Sequence, residues 1–329
     1  MAGSIRAFGS RARSRRGLLW PRLALGTIWD ERRKTNDERA PRIHSSFVVR
    51  PSSRIMRNRT GLIGGALLVA LMLLTLVGPL VVPPETQAHV DRIYQAPTLL
   101  HPLGTDFQGR DTLVMLIHGG RDVILIALIT GLLTTLIAVL VGTLSALLGG
   151  VADSLLIGVA DIWLTVPRFI VLVVAASLVR LENVWTLAIL LAVMGWPGLA
   201  RQIRAQMLSL RNREYIEAAR MLDLGLVQIV FRELLPNMSA FIAIAMIAAM
   251  TQAIYAQTGL VFLGLVPFGN NWGVMFSLAY AKNAIYLPNA AWSLLAPMGA
   301  IMLFQLALVW LARALEERFN PQLRAGRPG

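Results

Sequence analysis

The sequence predicts an all-α polytopic membrane protein with six transmembrane helices. Three observations predict it. The 329 residues are 56% hydrophobic and only 15% charged, a balance found in membrane chains rather than soluble domains. Six long runs are nearly free of charge, and their apolar residues do not alternate as barrel strands would. Taken as spans, these runs divide the 31 Lys and Arg residues very unevenly between two sides.

Residues 1–59 are expected to form a basic arm, and residues 1–61 hold 15 of the Lys and Arg residues. "SRRGLLW" (14–20) has the look of a twin-arginine export signal, but Arg22 and "DERRK" (30–34) interrupt the apolar core that such a signal needs. Leu18, Leu19, Leu23, Leu25, Ile28 and Trp29 suit an amphipathic helix on the membrane surface, and disorder fits the composition equally.

A helix needs about 20 apolar residues to cross the hydrocarbon. "GLIGGALLVALMLLTLVGPLVV" predicts a first span at about 62–82, and "VILIALITGLLTTLIAVLVGTLSALLGGVA" a second at about 123–149. The third, at 154–180, is uncharged except for Asp161, Arg168 and its terminal Arg180; the fourth, at 184–203, lies in "NVWTLAILLAVMGWPGLA". From Leu234 to Ala281 there are 48 residues without a charge, too many for one crossing. A fifth span at 239–262 is expected there. It is followed by a Gly-, Pro- and Asn-rich stretch, 264–281, that dips into the membrane or rests on it. The sixth span is expected at 290–312, which leaves 316–329 as a tail.

Six spans place both ends on one side. That side receives the arm, the 201–237 segment and the tail, with 25 basic residues; the other receives five, Arg92, Arg110, Arg121, Arg180 and Lys282. The richer side is expected to be cytoplasmic.

Several functions are excluded. The net charge of +13 does not indicate nucleic acid, because the basic residues flank the spans and no binding signature accompanies them. With no cysteine, disulfides, thiolate metal sites and Cys nucleophiles are absent. His44, His89, His101 and His118 lack metal-ligand spacing and are expected to be solvated in loops, so neither a metal site nor a catalytic residue is expected. There is no GxxxxGK[ST] loop, and neither of the two lysines, Lys34 and Lys282, follows a Gly. Any ATP used must be bound on another chain.

Between the fourth and fifth spans lies a polar island, "REYIEAARMLDLGLVQIVFRELLPN" (213–237), within a connecting loop at 206–237. Tyr215, Ile216, Ala219 and Leu222 recur at helical spacing, with Glu214 and Glu217 early and Arg220 later, as the helix dipole favours. Ala218 and Ala219 leave a flat surface for a partner. "LGL" (224–226) offers a turn, "VQIVFREL" resumes a helix, and "LPN" is expected to break it before the fifth span. The pattern predicts a helix–turn–helix parallel to the membrane.

Asp161 and Arg168 are costly inside a span and are therefore functional candidates. On one straight helix they would share a face, about 10 Å apart at 1.5 Å per residue. Arg168 is expected to bring positive charge to the interior, meeting a peptide carboxylate or an acidic group of a partner subunit.

"EYIEAARMLDL…IVFRELLPN" resembles the EAA loop of permease subunits in binding-protein-dependent ABC importers. "HPLGTDFQGRDTLVMLIHGGR" (101–121), "GGVADSLLIGVADIWLTVP" (149–167), "WPGLARQIRAQMLSLRNREYIEAAR" (196–220), "FLGL" (262–265), "NNWGVMF" (270–276) and "NPQL" (320–323) resemble C-type permeases of the dipeptide/oligopeptide/nickel family, in that family's order. The resemblance covers about 60–323. It implies the type I ABC importer permease fold, in a bacterial plasma (inner) membrane, with a cytoplasmic EAA coupling helix. Glu217, Ala218 and Ala219, with Tyr215, Asp223 and Gly225 around them, would dock on an ATPase. Leu235, Pro236 and Asn237 would anchor that helix to the fifth span. Asp106, Arg110 and Asp111 would lie near an external binding protein or partner permease. The implied partners are a B-type permease, two ABC ATPase subunits carrying ATP and Mg, and an extracytoplasmic substrate-binding protein. The implied substrates are di- and oligopeptides, with nickel chelates or oligosaccharides as the alternative.

The sequence departs from the family at Asp223, where Gly is usual, at Glu233, where His is usual, and at Gly158, where an Arg is usual before Asp161. Gln257 replaces a common Glu and is a pathway candidate with Asp161 and Arg168. A proton- or sodium-coupled transporter built on Asp161 would predict inverted repeats, and none is evident. An intramembrane enzyme would need a Ser/His or paired-Asp arrangement, and no His lies in the spans.

Overall fold

The computed structural model describes residues 59–221, 224–266, 269 and 271–319. The expected arm up to residue 58, Asp223 and the tail from 320 onwards lie outside the described residues. Among those described the structure is helical, with one isolated bridge between Thr105 and Asp111.

The first span is α1 (Arg59–Leu76) continued by α2 (Gly78–Val81), an apolar stretch over Thr60–Val81. The second, α3 (Thr112–Leu148), is 37 residues long and starts well before residue 123. His118, Arg121 and Asp122 interrupt the apolar run but not the helix, which begins where the Asp111 carboxylate accepts from the Leu113 and Val114 amides. α3 is the central helix, buried along much of its length, and packs most extensively on α6 (Val184–Arg211).

The expected third span is not a straight helix. α4 (Gly150–Thr165) and α5 (Arg168–Leu178) meet at an 89° bend. Proline disfavours helical backbone at the residue before it, and Val166 is accordingly extended (φ −89°, ψ 135°) ahead of Pro167. Asp161 and Arg168 therefore do not share one helix face.

α6 runs through Arg211, eight residues beyond the expected span, and contains Pro197 without a break. After α7 (Glu214–Met221) and α8 (Leu226–Ile229), a π-helical turn over Val230–Leu234 leads directly into α9 (Leu235–Phe262). The break expected at "LPN" is absent. Pro236 lies in the first turn of α9, and the wider π turn before it relieves the clash between its ring and the preceding carbonyls. Leu226–Phe262 thus forms one continuous helical stretch. α10 (Trp272–Ala281) is the short, non-spanning piece expected at 264–281; its Trp272 is fully buried and donates Nε1–H to the Leu116 carbonyl at 2.8 Å. α11 (Ala291–Phe319) extends past residue 312. Among the described residues, five helical stretches and one bent pair are long and apolar enough to cross a membrane, which makes six spans if the pair counts as one.

Among the described residues four buried clusters hold this bundle together, three of them large. One joins α1, α3, α9, α10 and α11 around Trp272 and Phe304, whose rings meet edge-on. A second joins the middle of α3 to α5, α6 and α9 through Ile126, Leu172, Leu187 and Leu191. The third ties the ends of α3 and α6 to the 213–237 segment.

Candidate functional site

At the end of the bundle that carries residues 82–111, the loop is closed on itself. Asp106 is buried and receives Arg110 on Oδ2, Nε at 3.0 Å and Nη2 at 2.7 Å, while its other oxygen accepts the Gln108 and Arg110 amides. Asp111, also buried, caps α3 and pairs with His101 Nδ1 at 2.7 Å. Glu85 accepts the Asp111 amide at 2.6 Å and lies 3.4 Å from His89. Gly109 has φ +75°, and a β-carbon there would meet the His89 carbonyl oxygen at 1.9 Å, so only glycine fits. Burial first, then the Asp106 carboxylate, push the Tyr94 phenol above its ordinary range. The expectation of solvated histidines fails at two positions: His101 is held by Asp111, and His118 Nε2 lies 2.9 Å from the Val82 carbonyl oxygen. The Asp106, Arg110 and Asp111 side chains are turned into the loop's own bonding.

The opposite end differs. α7 presents Ile216 and Ala219 inward, both buried beside Ile203, Met207, Ile229 and Leu234. Their i, i+3 spacing puts them on one face, and Glu217 on the exposed one. Ala219, expected on the docking face, is instead part of the chain's own core. Gly225 is exposed and caps α8 with ordinary extended backbone (φ −60°). Pro236 and Asn237 are exposed, and Asn237 Nδ2 donates to the Glu233 carbonyl at 2.6 Å; the burial there comes from Ile229, Val230, Leu234 and Met238. What sequence reading missed is an apolar rim: Met221, Leu226, Val227 and Phe231 are each more than 60% exposed. Their signal was present, since "GLVQIVF" offers more apolar residues than one inward face can take. The side chains of Tyr215 and Ala218 lie outside what is described.

Between the two ends, Asp161 pairs with Arg201 at 3.2 Å, both about half exposed. Asp153 receives Arg204, with Nε at 2.6 Å and Nη2 at 2.5 Å, as well as the Ser145 hydroxyl. These two pairs clasp α4 to α6, and no local sequence pattern links Arg201 or Arg204 to its acid. Gln257 is buried and donates weakly to the Val123 carbonyl at 3.5 Å. It lies outside the cleft of about 300 Å³ that Arg168 lines together with Thr134, Gly195, Gln202 and Gln252. No group of His, Asp and Glu among the described residues could hold a metal.

Residues 122–321 match the model of the binding-protein-dependent transport system inner membrane component, a segment that takes in α3 from Asp122 onward, the bent pair, the 213–237 segment and all later spans. The chain belongs to that family. Residues 52–97 of this permease further match the N-terminal transmembrane domain of oligopeptide transport permease C. A Brucella suis chain provisionally named a peptide permease is 34% identical over 278 residues, 84% of this chain and 91% of that one. The oligopeptide transport system permease protein OppC of Mycobacterium tuberculosis is 30% identical over 84% of this chain and 95% of its own length. The dipeptide transport system permease protein DppC of Bacillus subtilis is 27% identical over 82% and 84%. The permease is a multi-pass membrane protein and a transport subunit rather than an enzyme, and it works within a membrane complex of permease, ATPase and binding-protein components.

Proposed function

We propose that this permease forms half of the pathway of an ATP-driven importer of di- and oligopeptides. The observation that carries the reading is the near end-to-end similarity to permeases named for dipeptide and oligopeptide transport. Its immediate partners are a B-type permease, two ABC ATPases that bind ATP and Mg, and an extracytoplasmic binding protein. Both termini and the 213–237 segment face the cytoplasm of a bacterium with the protein in its plasma membrane, which the uneven basic residues support.

The coupling surface is the outward side of α7 and α8. Glu217 supplies charge, and Met221, Leu226, Val227 and Phe231 supply apolar contact of the kind that marks a protein interface. Ile216 and Ala219 transmit the movement by being fixed in the bundle core. A short element held in this way moves as one body with α6 and α9. Asp106, Arg110 and Asp111 shape the outer surface beneath the binding protein rather than touching it.

The test is reconstitution of the complete transporter with Glu217→Lys in this chain. ATP hydrolysis continues while peptide uptake falls, with membrane insertion intact. Normal uptake would remove Glu217 from the coupling surface. An absence of co-purifying ATPase would overturn the reading as a whole.

A further inference from the structure

The cleft beside the α4–α5 bend holds a cation with no acid among the described residues to answer it. Arg168 is the first residue of α5, and none of the ion pairs among the described residues includes it. Asp161, the acid nearest to it along the chain, is taken by Arg201. Thr134 also lines the cleft; it is 4% exposed, and its hydroxyl has no hydrogen-bond partner among the described residues. Gly195 leaves room for both. A β-carbon there would lie 3.1 Å from Arg168 Nη2 and 3.2 Å from Thr134 Oγ1, so the two groups converge over its bare backbone. Gln202 and Gln252 add amides to the same wall, and Gly198, Ala245, Ala248 and Ala249 keep it wide. Thr134 lies about 20 Å from the far end of α3 at 1.5 Å per residue, which places the group well inside the bilayer.

An unpaired guanidinium and an unused hydroxyl at that depth are expensive to maintain. The geometry points to a seat for a carboxylate of the passing peptide, held by Arg168 through a charged hydrogen-bond pair and by the Thr134 hydroxyl as a second donor. The seat binds the free C-terminal carboxylate, the one anionic group that every unmodified peptide carries. The assignment rests on the peptide-import reading above.

The complete transporter in liposomes, with one preparation of binding protein throughout, is given a neutral tripeptide and its C-terminal amide. The binding protein's own preference then cancels between variants, and the ratio of free-acid to amide uptake reports the permease. In Arg168→Gln this ratio falls about tenfold, as expected for loss of a charged hydrogen bond. In Thr134→Val it falls about threefold, since a neutral donor is worth less. An unchanged ratio in both variants overturns the seat, and so does an equal loss of both uptakes, which marks a structural role. Loss of the partner permease from purified Arg168→Gln also overturns it, because Arg168 then serves a subunit ion pair. If the unsubstituted transporter shows no ATP-dependent peptide uptake, it is the peptide-import reading that has failed, and this is seen before any variant is compared.

Discussion

The two ends of this bundle solve opposite problems. At the 82–111 end, three acidic side chains are bonded within the loop, and the glycine at 109 lets the backbone close on itself. At the 213–237 end, four large apolar side chains stand in the open. One end holds its shape through its own polar bonds, with Val90, Leu99 and Leu100 exposed around them. The other is an unfinished surface, built rigidly from behind by Ile216 and Ala219 and left bare in front. Polar groups that bond internally fix a shape, whereas exposed apolar groups on a fixed support await another protein.

Substitutions can break the contrast. Gly109→Ala should have the largest effect, on the order of 3 kcal/mol, because positive φ and a clash with the His89 carbonyl combine. Thermal unfolding of the detergent-purified complex measures it. Asp106→Ala should follow at about 2 kcal/mol, since it strands the Arg110 guanidinium, whose Nε and Nη2 both donate to Asp106 Oδ2. Asp161→Asn removes a half-exposed pair and should cost no more than about 1 kcal/mol, an effect that weakens further in high salt. Val227→Ser with Phe231→Ser should change stability least, within about 0.5 kcal/mol, yet abolish co-purification of the ATPase. If that double variant unfolds the permease, or still retains the ATPase, the rim is not the unfinished surface described above.

The spans were legible because hydrocarbon imposes a length and forbids charge, and both leave plain marks in a sequence. Helix ends were less legible. α3 continues back through Asp122 and Arg121 because a helix needs hydrogen bonds rather than lipid, and its start is set by the Asp111 cap. The prolines were misread in both directions. The sequence pattern predicts a break at Pro236, which sits in a helix start, while Pro167 falls within a span predicted as one helix and bends it by 89°. Pro197 and Pro297 interrupt nothing. A proline alone does not say whether neighbours will absorb the lost amide; packing decides that. α7 was legible as a helix, but its facing was not. Either side of an Ala-rich turn can pack, and it is the buried Ile216 beside Met207 that selects one. The Arg168 cleft joins residues 134, 168, 195, 202 and 252, which no local pattern connects.

The sharp corner at Pro167 has one more consequence. Where a helix stops and another starts at membrane depth, carbonyls of one and amides of the other lose their regular partners. Such backbone is tolerated only beside protein polar groups or moisture. The transporter therefore keeps a polar seam, of side chains or water, partway through an otherwise oily wall. Its barrier against leaking ions must then stand above or below that seam.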